Sequence, residues 1–477
     1  MVEKEQLEGI TAKKGGDFSE WYNQVVLKAG LADYSPIKGF MVVLPRGYAL
    51  WEKIQKHFDF EIARHKVSNV YYPLLIPERF FKKEAEHAAG FAPELAWLEK
   101  KEEGERLAIR PTSETIMYDS FSKMVRSWRD LPLRFNQWCS VLRWEVKQTK
   151  LFLRTREFLW QEGHCVYENE ADCVSEALAF LNEYKKLCEE LLAIPVIAGE
   201  KTVLERFAGA KQTFTIEAFM PDGKALQMGT SHNLGQNFAK TFNVKFLDKG
   251  GKEQIAWQNS WGMSTRLIGA LVMVHSDDKG LVLPPKVAPA KAVIVPILFE
   301  KSKKEVLKKA MELSEQLVEF GAFVDARDNY SAGWKFNEWE LVGVPVRFEV
   351  GPKDIEKKQA VLVRRDTGEK RAVKFLDAKK ELAKTLEQMQ KDMYFRAKKF
   401  LEKSTVGAKN WQEFEQGIEE RKLVLAFFCE KKDCEEKIRQ KTTASSRCIP
   451  FGQKNAAGKC VACGQAANGK SFFAKAY

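Results

Sequence analysis

The sequence predicts an α+β fold built on an antiparallel sheet flanked by helices, followed by a smaller α/β unit and a cysteine-bearing α+β module at the C-terminus. Three observations lead there. Residues 1–285 carry paired aromatic and β-branched runs separated by short polar breaks, with helical patterns standing apart from them, the signature of hairpins rather than of βαβ crossovers. A proline-rich breaker, Leu283-Pro-Pro-Lys-Val-Ala-Pro289, is followed by alternating strand and helix patterns. Finally, five of the nine cysteines crowd between Cys429 and Cys463, and none lies between residues 189 and 428. The chain of 477 residues divides on this reading at 1–285, 286–400 and 401–477.

In the first unit, Met41–Leu44 and Val70–Ile76 read as short strands around an amphipathic helix from Gly47 to His65. A helix over Thr112–Ser127 opens on Thr-Ser-Glu, a good N-terminal signal. Phe135–Val146 and Glu157–Tyr167 form an expected antiparallel pair joined by the polar loop 147–156, and a helix over Asp172–Ala193 follows. Thr213–Phe219, the turn Pro221–Gly223 and a strand from Ala225 make a second hairpin. Beyond the breaker, strands are expected at Ala292–Ile297, Phe323–Asp325, Val344–Val350 and Ala360–Arg364. A helix is expected at Lys301–Phe320, a second one closing with Phe336–Leu341, and a long charged one at about Lys379–Lys403.

Composition excludes several classes. Hydrophobic residues make up 45% and charged residues 30%, a globular balance. No apolar run approaches the ~18 residues that span a bilayer. Met1–Gln6 lacks the apolar core of a signal peptide. The net charge of +12 suggests a polyanionic partner, and from Lys437 to Tyr477 eight basic residues stand with no acidic one. Cys429-x4-Cys434 with Cys460-x2-Cys463 has the paired spacing of a closed four-thiolate structural zinc site; Cys448 is left over as a buried thiol.

Two constellations carry chemistry. Arg143-Trp-Glu145 sits at the end of a predicted strand, with Arg154 and Arg156 in the loop beyond it. An arginine on a rigid strand can hold a carboxylate or phosphate bidentately, and Glu145, two residues on, would share its face; a cross-strand ion pair has the same composition. Trp261-Gly-Met-Ser-Thr-Arg-Leu-Ile-Gly269 places Arg266 in the first turn of an apolar helix, where backbone N–H groups also favour anions.

Together, Arg143-x-Glu145 with its basic loop, Gly262-Met-Ser-Thr-Arg266 and Val70-Tyr-Tyr-Pro73 resemble motifs two, three and one of class II aminoacyl-tRNA synthetases. No Gly-x-x-x-x-Gly-Lys-[Ser/Thr] loop occurs, nor do the two hallmarks of class I synthetases. Arg110-Pro-Thr-Ser-Glu-Thr115, Trp160-Gln-Glu-Gly-His164, Phe207-Ala-Gly209 and Gln227-Met-Gly-Thr-Ser-His232 further resemble the pocket signatures of prolyl-tRNA synthetases, and the cysteine pairs those of the archaeal and eukaryotic-like subgroup. The resemblance implies ATP-dependent activation of L-proline and transfer to tRNA(Pro) by a cytoplasmic homodimer with no membrane partner. Thr112 and Glu114 would take the secondary ammonium, Arg143 the carboxylate, and Trp160 and Phe207 the ring, with His164, Thr230 and His232 completing the pocket. Arg143, Arg154 and Arg266 would contact ATP phosphates. Phe158 would stack on adenine opposite Arg266, Gln227, Thr230 and Ser264 would face the nucleotide, and Glu145 would bind the adenine amino group or help hold Mg2+. Gly333–Asp354 resembles the anticodon-binding domain of several class II enzymes, with Glu340, Arg347 and Lys353 as candidate readers of guanine edges. Zn2+ would be structural, held by Cys429, Cys434, Cys460 and Cys463. The ~90 residues between Tyr167 and Trp257 are too few for the editing insertion of typical bacterial relatives. A different class II specificity fits the Thr112/Glu114 pair and aromatic walls poorly, and a non-catalytic RNA-binding relative would be expected to lack Arg143, Glu145 or Arg266.

Overall fold

The computed structural model describes residues 9–87 and 94–477; Met1–Gln6 lies outside them. An eleven-stranded, mostly antiparallel sheet runs through the molecule. Its centre is formed by Gln212–Phe219, Lys224–Gly235, Trp257–Ser264, Glu157–Tyr167 and Leu133–Leu142, in that order, every neighbouring pair antiparallel. Strict alternation gives this centre two faces. One row of register partners, His232, Ser260, His164 and Phe135, lies on one face, as does the row Thr230, Gly262, Glu162 and Gln137. The other face carries Trp261, whose ring stacks 4.1 Å from Phe180 of the helix Glu170–Lys186. That helix starts cleanly because Asn169 accepts the Asp172 N–H at 2.9 Å.

Directly opposite Trp261 in the register is Gly163, and a Cβ there would lie 2.1 Å from the indole. The ring occupies the space a side chain would need. Gly163→Ala is therefore expected to destabilise by about 1–3 kcal/mol through overpacking, read as a lowered Tm with the same secondary-structure content.

A bulge shapes the other face. Thr230 and Gln227 are three residues apart and would point opposite ways on a regular strand. The extra residue Met228, between the pairs Gln227↔Glu217 and Gly229↔Ile216, returns Gln227 to the face of Thr230.

The second unit has a five-stranded sheet in the order Phe323–Val324, Ala292–Pro296, Val346–Val350, Gln359–Arg364, Lys370–Lys374, the first three parallel. Arg365 ties it to the first unit with a two-pronged contact to Asp277 at 2.7 and 2.8 Å, just past the helix Arg266–His275. The third unit contributes Thr405–Ala408, Leu423–Phe428, Gly469–Ala476 and Ser445–Pro450, and these continue the large sheet: Ile449 and Pro450 pair with Glu200 and Gly199, and Lys475 and Ala476 with Lys224 and Ala225.

Several expected elements differ. Val70–Ile76 is not one strand: Ser68–Asn69 pairs in parallel with residues 135 and 136, while Leu75–Pro77 pairs with Leu107–Ile109, and Pro73, which has no N–H to give a ladder, lies between. The helix expected to Ala193 is α-helical only over Glu170–Lys186 and then widens into a π-turn, Leu187–Leu191. Arg143-Trp-Glu145 is not on the strand, which ends at Leu142; Arg143 still donates its N–H to Arg156 O at 2.8 Å, but Trp144 and Glu145 have left the ladder, so strand alternation does not place Glu145.

Candidate active site

The polar face of the central sheet forms the floor of a cavity of about 380 Å³. Thirteen sequence-selected residues line it: Thr112, Glu114, Arg143, Glu145, Phe158, Trp160, His164, Phe207, Gln227, Thr230, His232, Ser264 and Arg266. Phe158, Trp160, His164, Thr230, His232 and Ser264 reach it from strands of the central sheet, Gln227 through the bulge and Phe207 from the loop between Ile197–Glu200 and Gln212–Phe219. Thr112 and Glu114 reach it at the start of the helix Glu114–Met124, and Arg266 at the start of the helix Arg266–His275. Arg154 stands outside the lining, exposed on the loop between Leu133–Leu142 and Glu157–Tyr167.

One end of the cavity is acidic. The Thr112 hydroxyl donates to Glu114. Glu162, which was not assigned a role from sequence, is buried and accepts from Ser113 N at 3.1 Å and Gln137 Nε2 at 3.0 Å, with His164 Nε2 at 3.2 Å. Its position two residues from both Trp160 and His164 on one strand was the available signal. Burial opposes charge on both partners, but their mutual hydrogen bond prevails: the His164 pKa is raised and that of Glu162 lowered. His232 behaves oppositely. Burial, with the nearby charges of His164 and Lys201, pushes it down to about 3, so its ring is neutral. The Thr213 hydroxyl accepts the Phe207 N–H at 3.0 Å and shares a further hydrogen bond of 3.0 Å with His232 Nδ1.

The sign of the pH dependence follows. A raised His164 pKa stabilises the fold below the unfolded value of 6.5 and loses that contribution as pH rises through the folded value; a lowered Glu162 pKa acts above 4.5 and is lost as pH falls through its folded value. Glu162→Gln is expected to shift the His164 titration downward by NMR, because burial is then less opposed. The Tm difference from wild type should be largest between pH 4.5 and 6.5 and narrow above.

The other end is basic. Arg143 lies 5.3 Å from the Phe158 ring centroid and 5.5 Å from that of Trp160. Arg266 donates to the Leu153 and Gln227 carbonyls at 3.2 and 3.3 Å. Among the described residues no carboxylate forms an ion pair with Arg143, Arg154 or Arg266. Burial, and then the charge of Arg143, lower Arg266 to about 10. Cations held together without anionic partners make a site for an external polyanion.

Glu114, Glu162 and His164 bring ligand atoms within 4.8 Å of one another, but the Glu162 oxygens already accept protein hydrogen bonds. The four cysteines form the better metal site. Their sulfurs all lie within 4.8 Å, Cys429 Sγ being 3.4 Å from Cys434 Sγ and 3.9 Å from Cys463 Sγ. Tetrahedral zinc thiolates, with bonds of about 2.3 Å, require edges of roughly 3.8 Å. Cys448 sits fully buried, its thiol pushed up to about 12 by burial.

In the second unit Arg347 is buried, held by Glu349 at 2.9 Å and Glu340 at 3.2 Å, with its guanidinium 4.2 Å from the Phe336 ring centroid. Glu340 also meets Lys279 of the first unit at 3.2 Å, whereas Lys353 is exposed on the short helix Pro352–Glu356. Arg347 and Glu340 are thus brought together, and most of the Arg347 donors are committed to protein acceptors.

Residues 97–275 match the family described as tRNA synthetase class II core domain (G, H, P, S and T), residues 291–385 the anticodon binding domain, and residues 411–477 the C-terminal domain of prolyl-tRNA synthetase. Proline–tRNA ligase 2 of Bacillus thuringiensis subsp. konkukian is 49% identical over 99% of this chain and 100% of its own. Proline–tRNA ligase of Natranaerobius thermophilus is 50% identical over 97% and 96%. The crystal structure of prolyl-tRNA synthetase from Cryptosporidium parvum, complexed with halofuginone and AMPPNP, superposes with a TM-score of 0.93 at 41% identity, covering 99% of this chain and 98% of that one.

Proposed function

The chain belongs to the class II prolyl-tRNA synthetases, and on that premise we propose that its large cavity activates L-proline with ATP and passes the prolyl group to tRNA(Pro). The observation that carries this reading is the division of one cavity into an acidic and a basic end, with Arg143 beside the aromatic wall. Glu114 and Glu162, both buried at that end, offer carboxylates to a secondary ammonium. Trp160 and Phe207 flank the ring, and Arg143 takes the proline carboxylate, one of whose oxygens attacks the α-phosphorus. Pyrophosphate leaves as prolyl-adenylate forms; the terminal adenosine hydroxyl of the tRNA then attacks the acyl carbon and AMP departs. Arg143, Arg154 and Arg266 stabilise phosphate charge, Phe158 supports adenine, and Gln227, Thr230 and Ser264 line the nucleotide path. Positioning and charge stabilisation suffice for such steps without a side-chain base. A magnesium ion bound with ATP would supply further charge neutralisation, with Glu145 as the residue placed to help hold it. The ATP analogue in the Cryptosporidium structure supports the nucleotide assignment.

Finer points belong to the same reading. The four cysteines hold a structural zinc ion, and Glu340, Arg347 and Lys353 belong to the anticodon face. Val70–Pro73, where Tyr71 is 71% exposed, contributes to a homodimer contact. The segment between Tyr167 and Trp257 supplies strands of the sheet itself, which favours the absence of a cis-editing domain; hydrolysis of alanyl-tRNA(Pro) by the purified chain would contradict it. No helix among the described residues is long and apolar enough to cross a membrane, and a role in translation places the enzyme in the cytoplasm. The test is ATP–pyrophosphate exchange across a panel of amino acids. Proline alone should support strong exchange; exchange driven better by another amino acid would overturn the specificity, and none at all the chemistry.

A further inference from the structure

Arg447 lies on Ser445–Pro450, a strand of the third unit, yet its guanidinium reaches into the first. Its Nη2 and Nε donate to Glu217 Oε2 at 2.9 and 3.2 Å, while Lys201 Nζ donates to Glu217 Oε1 at 2.7 Å and the Thr215 hydroxyl to the same oxygen at 3.0 Å. All three charged side chains are buried.

The place of Glu217 gives this cluster its meaning. Thr213, Thr215 and Glu217 alternate along Gln212–Phe219 and pair with His232, Thr230 and Gln227, so Glu217 lies on the cavity face beside Gln227. Arg266 rests on the Gln227 carbonyl, one strand from Glu217, and feels the charge of that carboxylate. Glu205, in the cavity wall, acts electrostatically on Arg447 as well. Unpartnered, Glu217 would be a buried anion competing for Arg266 and repelling a polyphosphate.

We propose that Arg447 is a positioning residue of the nucleotide site: with Lys201 it holds Glu217, which keeps Arg266 available for ATP. The proposal rests on the assignment of Arg266 to the nucleotide. It gives the third unit a part in activation, because the hold on Arg447 runs toward the cysteine cluster. Glu435, adjacent to Cys434, accepts from the Ser446 hydroxyl at 2.5 Å, and Ser446 meets the Thr202 hydroxyl at 2.9 Å. Those two residues directly adjoin Arg447 and Lys201.

Exchange kinetics on the full chain test this. Arg447→Met should raise the ATP KM about tenfold while the proline KM and kcat stay within about twofold, Arg447→Lys should lie between it and wild type, and Arg447→Met with Glu217→Gln should return the ATP KM to within about threefold of wild type. The proposal is overturned if Arg447→Met leaves the ATP KM within about twofold, if both KM values rise together, or if the double variant is no better than the single. Should Arg447→Met not fold, Arg447→Lys decides: an ATP KM that does not rise selectively overturns it. Arg266→Ala separates the two claims. If it spares exchange, the nucleotide assignment fails; if it abolishes exchange while the Arg447 variants are silent, only this inference falls.

Discussion

Replacing Arg143 with alanine is expected to lower proline-dependent ATP–pyrophosphate exchange by about 100- to 1,000-fold, the usual effect of removing one preorganised charge donor from a transition state. Arg143 stands where the two ends of the cavity meet, packed against Phe158 and Trp160. Among the described residues no carboxylate forms an ion pair with it, so on the proposed reading its charge is available both to the proline carboxylate and to the phosphate under attack. As the bond to phosphorus forms, negative charge grows on the phosphoryl oxygens, and an interaction strengthened at that moment raises kcat rather than merely lowering KM. Arg143→Lys should recover little, because an ammonium offers neither the planar fork nor the stacking on the two rings. Single-turnover adenylate formation measures this directly.

Removal of metal from the four-cysteine cluster should have the largest effect on stability. Phe414, Ile438, Phe428 and Phe473 form a small apolar cluster with Cys429, Cys434 and Cys460. A core of that size is marginal alone, whereas structural zinc contributes roughly 10–16 kcal/mol in small zinc-binding domains. The purified chain should contain about one zinc per chain, and stripping it with a strong chelator should unfold the third unit. Since Ser445–Pro450 and Gly469–Ala476 are strands of the shared sheet, and Arg447 meets Glu217, exchange should fall with it. Cys434→Ser should reproduce the loss. A metal-free chain of unchanged Tm would show that the thiols pack without an ion.

Local signals made much of this legible. Glu157–Tyr167 runs as read, because its aromatic and β-branched residues lie between polar breaks, and Arg266 opens its helix where a glycine-bounded segment turns apolar. The cavity residues were reachable because they lie within short motifs. What escaped depends on partners distant in sequence. Glu162 gains its role from Ser113 and Gln137 on other elements. Glu217 and Arg447 are 230 positions apart, and nothing near either marks the pair. Lys370–Lys374, with three basic residues in five, was assigned no element from sequence and forms a strand on the edge that Gln359–Arg364 offers. The C-terminal strands were hidden for a similar reason: they complete a sheet begun more than two hundred residues earlier, so no local pattern shows that they join it.

A crystal structure with a non-hydrolysable sulfamoyl analogue of prolyl-adenylate tests the assignment of this cavity most directly. The prolyl ring should lie between Trp160 and Phe207, its nitrogen on Thr112 and Glu114, the sulfamoyl group on Arg143, and adenine against Phe158. An analogue bound outside this cavity, or bound within it with the prolyl nitrogen directed away from the carboxylates, would contradict it.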